Sequence, residues 1–123
     1  MSTIRIRARG PASKYVIWAR YRDPGRWPSW APHVHAVRAD GPLRPGLEGE
    51  VFGRFGVRAR FEVLDVDESL GRWTWAVRRG PIRLRIEHEV GEGIAGLVIS
   101  GPALAVAAYA PIARRSLRRL VAR

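Results

Sequence analysis

Asp23-Pro24-Gly25-Arg26-Trp27-Pro28-Ser29-Trp30 places two tryptophans and two prolines within eight residues. Proline fixes φ near −65° and tryptophan carries the largest apolar side chain, so the segment reads as a rigid aromatic wall. Just upstream, Tyr15, Trp18, Ala19 and Arg22 fall at helical spacing. Pro24 ends that helix by disfavouring the α conformation at Asp23. Gly10-Pro11-Ala12-Ser13 supplies the helix start, with Ser13 as N-cap. Before it, Thr3 to Arg9 alternates Ile4, Ile6 and Ala8 with Arg5, Arg7 and Arg9, a strand with one apolar face.

Downstream, Val34 to Ser100 reads as a meander of six strands. They are Val34–Asp40, Leu47–Phe55, Arg58–Val66, Arg72–Arg78, Ile82–Val90 and Ile94–Ser100. Short connections rich in Gly, Pro and Asp separate them, which predicts antiparallel neighbours. Gly101-Pro102 then opens a final helix over roughly Ala103 to Ala122. Pro111 inside it is expected to kink the helix near Ala107. Ile94 to Ala113 carries no charge and is followed by Arg114 and Arg115, which mimics a membrane span. Gly96, Gly101-Pro102 and Pro111 interrupt it, and strand, turn and helix account for it better.

At 123 residues the chain is expected to form one domain, residues 1–123, and its 46% hydrophobic content excludes a disordered reading. With no cysteine there is no disulfide framework and no thiolate chemistry. The three histidines and scattered carboxylates lack zinc-ligand spacing, so neither a metal nor a cofactor is expected. Met1 to Arg9 contains no apolar signal core, which makes the cytoplasm the default location. The net charge of +11 comes almost wholly from arginine, Lys14 being the one lysine. A high-GC bacterial genome accounts for such a skew, and a phosphate-binding surface is the sharper alternative.

The order strand, helix, Trp/Pro segment, six strands and long helix resembles the START-like helix-grip superfamily, closest to its polyketide cyclase/dehydrase and lipid-transport (SRPBCC-type) branch. Trp18 to Trp30 and Gly41-Pro42-Leu43 with Gly46 carry the resemblance, together with Glu87-His88-Glu89-Val90 and Ile99-Ser100-Gly101-Pro102. It implies an α+β fold: a curved antiparallel sheet of about seven strands wrapped around the C-terminal helix, with two short helices after the first strand. It also implies a deep cavity for an apolar or aromatic ligand. The superfamily has no universal catalytic motif to carry over, and this chain is somewhat short for it.

Strand phase identifies inward residues independently. In Ile82–Val90, Ile82, Leu84, Ile86 and Val90 share one face, and His88 is the ionisable residue in that phase. Burial would lower its pKa and leave a neutral base or hydrogen-bond partner. The plainer reading is a core histidine bonded to a carbonyl or to Tyr109. Trp73, Trp75 and Val77 share a face, as do Phe61 and Val63, while Val51, Gly53 and Phe55 form the expected inward set of their strand. Trp30, Phe55, Phe61, Trp73, Trp75, Leu84, Ile86, His88 and Tyr109 are therefore the candidate ligand-contacting residues. His33 and His35 read as surface histidines. Arg114, Arg115, Arg118 and Arg119 form a basic helix face opposite Ile112, Leu117, Leu120 and Val121.

Three functions follow. The first is a carrier or sensor enclosing one small hydrophobic or aromatic molecule, lipid-like or polyketide-like. The second is a cyclase, aromatase or dehydratase using His88 as acid/base. The third is an interaction module docking on RNA, ribosome or anionic membrane through the terminal arginines. Exposed apolar surface at a cavity mouth would suit either a monomer or a homodimer.

Overall fold

The computed structural model describes residues 1–123. Seven strands form one antiparallel sheet: β1 (Ser2–Arg9), β2 (Ala36–Ala39), β3 (Glu48–Phe52), β4 (Arg58–Asp67), β5 (Arg72–Arg79), β6 (Ile82–Gly91) and β7 (Ile94–Gly101). Their order is β1-β7-β6-β5-β4-β3-β2, so every chain-adjacent pair from β2 to β7 is a hairpin and β1 closes onto β7. Between β1 and β2 come helix α1 (Lys14–Arg22) and a 3₁₀ helix over Pro24–Ser29, and α2 (Ala103–Leu120) ends the fold. This is the expected helix-grip arrangement of a curved sheet around a terminal helix.

The sheet's inner face is covered in two parts. Helix α2 packs on β1, β7 and β6, whereas the 3₁₀ segment packs on β2 and α1 touches β6. Ser13 caps α1 as expected, its Oγ accepting from the Val16 amide at 3.3 Å. The buried stripe of α1 is Ile17, Trp18 and Tyr21, and Tyr15 is 75% exposed, one residue out of phase with the predicted face. Helix α2 runs continuously through Pro111, which removes only one backbone donor. Its buried stripe is Val106, Ala110, Ala113, Ser116, Leu117 and Leu120. Ile112, expected on that stripe, is exposed.

Arg20 ties the two helices together. Its Nη1 donates to the carbonyls of Leu120 at 2.5 Å and Ala122 at 2.8 Å, satisfying groups the end of α2 leaves without intrahelical partners. Nearby, the Ala12 amide donates to the Val121 carbonyl at 3.0 Å, docking the β1–α1 connection on the same helix end. No helix is long and apolar enough to cross a membrane.

Strand phase is interrupted once. The β4–β5 register shifts between Val63 and Asp65, a bulge that lets Val63 pair with Trp75 and Val66 with Trp73. Asp65 is exposed on the far side, beside the turn where Asp67 accepts from the Leu70 amide and the Ser69 hydroxyl. Those bonds hold the Asp67 carboxyl below the usual carboxylate range.

Candidate functional site: an aromatic grip interior

The Trp/Pro segment enters the grip from the side that α2 does not cover. Asp23 starts it by accepting from the Gly25 amide at 3.0 Å. Trp27 then donates its indole N–H to the Tyr21 carbonyl at 2.9 Å, and Trp30 donates to the Arg20 carbonyl at 3.3 Å. Both tryptophans thereby occupy carbonyls at the open end of α1. Trp27 is buried and its ring lies 5.3 Å from Trp75, 5.5 Å from Phe61 and 6.2 Å from Trp73. Trp30 is half-buried, edge-on to Tyr21 at 5.3 Å.

The sheet supplies the opposing rings. Trp73 and Trp75 alternate inward along β5, and cross-strand pairing sets Trp73 against His88 and Trp75 against Ile86. The His88 imidazole stacks on the Trp73 indole, centroids 3.5 Å apart and planes at 8°. Its Nδ1 lies 3.1 Å from the Trp73 carbonyl, which can only accept, so Nδ1 carries the proton and Nε2 the free lone pair. Burial pushes the His88 pKa down to about 3, against smaller upward effects of its backbone hydrogen bonds. Tyr21 completes the cluster, 5.1 Å from Trp73 and 5.4 Å from His88, and burial pushes its phenol far above the ordinary value.

Two donors in this cluster lack partners. The indole N–H groups of Trp73 and Trp75 are buried and make no hydrogen bond within the protein. Leaving a buried donor unsatisfied costs about 1–3 kcal/mol, and such groups mark where water or a ligand supplies the acceptor. The contrast with Trp27 and Trp30, whose N–H groups are both bonded, sets the sheet tryptophans apart.

Several expectations need correction. Phe55 does not face inward: β3 stops at Phe52, and a 3₁₀ turn over Arg54–Gly56 puts Phe55 at 100% exposure with φ 59°. The inner positions of β3 are Gly49 and Val51, opposite Phe61 and Ala59. Tyr109 does not meet His88. Its ring stands 6.0 Å from His33, whose Nδ1 lies 3.3 Å from the Ser116 hydroxyl. His33 is therefore no surface histidine, and burial lowers its pKa. Leu84 pairs with Val77 at the far end of the sheet, and its side chain approaches Gly101. Tyr21 and Ile17 escaped the sequence reading, although their mutual i, i+4 spacing, with Trp18 three residues before Tyr21, is the signal that would have found them.

The inner face to which the resemblance assigns a deep cavity carries these rings, packed within one hydrophobic core. Two open grooves of about 590 and 510 Å³ lie instead on the outer face of the sheet. One runs over Arg38, Glu50, Arg60, Arg78 and Arg83, a single cross-strand row, and the other over Arg5, Arg7, Arg72 and Glu89. The terminal Arg114, Arg115, Arg118 and Arg119 are all exposed along the second half of α2.

No protein-family model and no curated protein matches the sequence. Solved structures do match in shape. An uncharacterised protein from Bacillus thuringiensis superposes with a TM-score of 0.75 at 12% identity, over 97% of this chain and 96% of that one. Ara h 8.0201 gives 0.72 at 11% identity, over 98% and 95%. DynU16, from the dynemicin biosynthetic locus, gives 0.71 at 19% identity, and this chain matches 98% of its own length to 47% of that protein. At such low identities the likeness is one of architecture, and on that ground the chain has the helix-grip fold of START-like proteins.

Proposed function

We propose that the protein binds one small, planar, largely apolar molecule that carries hydrogen-bond acceptors, and holds it among the rings on the inner face of β5 and β6. The observation that carries this reading is the pair of unpartnered indole donors on Trp73 and Trp75, both inside an aromatic cluster. A ligand that stacks on these rings and accepts from the two N–H groups would offset their desolvation while leaving the apolar contacts intact. His88 adds an acceptor at Nε2, and its fixed tautomer makes it a recognition group. With a pKa near 3 it is a weak base at neutral pH, which favours recognition over the proton transfer of a cyclase.

Entry requires a ring to move, and Trp30 is the ring held least firmly, half-buried and with the longer of the two indole bonds. Binding would then select a conformation in which this side chain swings outward. The test is a titration with 8-anilinonaphthalene-1-sulfonate and with planar hydroxy-ketones, followed by tryptophan quenching. Saturable binding is expected, and Trp75→Phe should weaken the ketones by about tenfold, one hydrogen bond's worth, while leaving an unsubstituted aromatic hydrocarbon unaffected. Absence of saturable binding to any of these probes would sink the reading.

A further inference from the structure

Because all seven strands are antiparallel, one edge of the sheet gathers the end of β3, the start of β4, the β5–β6 hairpin, the end of β7 and the first turn of α2. This edge has a distinct composition. Phe55 is 100% exposed and Leu104 is 87% exposed, with Val57 and Ile82 also projecting into solvent. Phe55 and Leu104 contribute little to the core, Val57 and Ile82 are only partly exposed, and Phe55 occupies a left-handed backbone conformation that a bulky residue adopts at a cost.

Charge at the same edge has one sign. Arg54 and Arg58 flank Phe55 and Val57, and Arg79 and Arg83 flank the hairpin that carries Ile82. No Asp or Glu occurs between Val51 and Phe61, between Ala76 and Ile86, or anywhere after Glu92. The four ion pairs of the protein use Arg5, Arg7, Arg22 and Arg38, leaving the arginines of this edge without carboxylate partners. Charge also segregates along the strands that leave it. β4 runs from Arg58 and Arg60 to Asp65 and Asp67, and β6 from Arg83 and Arg85 to Glu87 and Glu89. The carboxylates thus sit toward the opposite end of both strands.

We propose that this edge is a docking surface for an anionic lipid bilayer, with Phe55 and Leu104 entering the headgroup layer and the surrounding arginines pairing with lipid phosphates and carboxylates. Projecting apolar side chains ringed by unpaired cations match the two layers of such a surface: apolar below, negative above. A polyanion such as RNA would satisfy the arginines but offers nothing to aliphatic side chains like Leu104 and Ile82. The surface is separate from the terminal arginines of α2 and from the aromatic interior, so the proposal stands independently of ligand binding there.

Vesicle flotation of the full chain tests it, with phosphatidylcholine vesicles alone and with phosphatidylserine mixed in. The chain is expected to float with the mixed vesicles, to release at high salt, and to ignore phosphatidylcholine alone. Phe55→Ser with Leu104→Ser should lower partitioning on the order of tenfold or more, since exposed side chains contribute to binding and not to folding. Arg54→Gln with Arg79→Gln should lower it about fivefold per arginine and flatten the salt response. Arg114→Gln with Arg118→Gln, on the other half of α2, should leave it unchanged. No flotation with mixed vesicles, or flotation that only the α2 variant reduces, overturns the proposal. Edge-dependent binding to an oligoribonucleotide without vesicle binding would assign the surface to RNA and overturn it equally.

Discussion

His88 lies flat on Trp73, ring centroids 3.5 Å apart, and donates its Nδ1–H to the carbonyl of that same residue at 3.1 Å. Burial holds the imidazole neutral in the core, while the bond to the carbonyl fixes its tautomer. The unfolded chain has no such constraint and takes up a proton near the ordinary value of 6.5. Because the folded pKa is depressed to about 3, the histidine favours folding fully above pH 6.5 and progressively less as pH falls toward 3. Between neutral pH and pH 5 the loss should be about 2 kcal/mol, and His33, depressed in the same direction, adds to it. Urea denaturation at the two pH values checks this. A His88→Asn variant should show a flatter pH dependence, and equal slopes in both proteins would refute the assignment.

Arg20 closes the carboxyl end of α2 through the Leu120 and Ala122 carbonyls. Replacing Arg20 with Met keeps the apolar stem and removes the donors, so the loss reports the hydrogen bonds alone. Charged hydrogen bonds of this kind suggest destabilisation by about 1–2 kcal/mol, discounted for partial solvent exposure. Denaturant midpoints measure it, and an unchanged midpoint would mean that water caps the helix equally well.

Gly10 sits where β1 turns into the α1 approach. A Cβ there would lie inside contact distance of the Val121 carbonyl and side chain. Gly10→Ala must push the end of α2 away from the sheet and should cost about 1–3 kcal/mol, as overpacking does elsewhere. Thermal denaturation is the readout, and a wild-type melting temperature would show that this end of α2 yields freely.

Phe55→Gly should act in the opposite sense. A left-handed conformation costs an L-residue about 1–2 kcal/mol, and glycine returns about 0.5–1 kcal/mol of that through its larger unfolded-state entropy. With no packing to lose, the variant should be as stable as the parent or up to about 1 kcal/mol more stable. Clear destabilisation would mean that Phe55 packs somewhere in solution, against its exposed position here.

Much of the fold was legible because its signals are local. Alternation of apolar and polar residues placed Trp73, Trp75, Ile86 and His88 on the inner face, and cross-strand pairing then brought them together. Alternation failed at Phe55, where the strand ends at Phe52 and the 3₁₀ turn breaks the period. It would also have failed beyond Val63, where the bulge resets the phase so that Val66 meets Trp73. The helical phase of α1 was misread by one residue: Tyr15 is exposed, while Ile17, Trp18 and Tyr21 form the buried stripe, where Tyr21 meets Trp73 and Trp30.

From residue order alone came the succession of elements, the inward phase of His88 and the role of Asp23 to Trp30 as a wall of the grip. Each rests on periodicities and backbone restrictions that act within a few residues. Tertiary structure decided what that wall does: Trp27 and Trp30 tie off the end of α1, while Trp73 and Trp75 keep unspent donors in the interior. It also gathered Phe55, Ile82 and Leu104 with unpaired arginines at one edge of the sheet. Residues so far apart in the chain reach one end of the sheet only through its antiparallel topology, a property of the assembled sheet that no local period encodes.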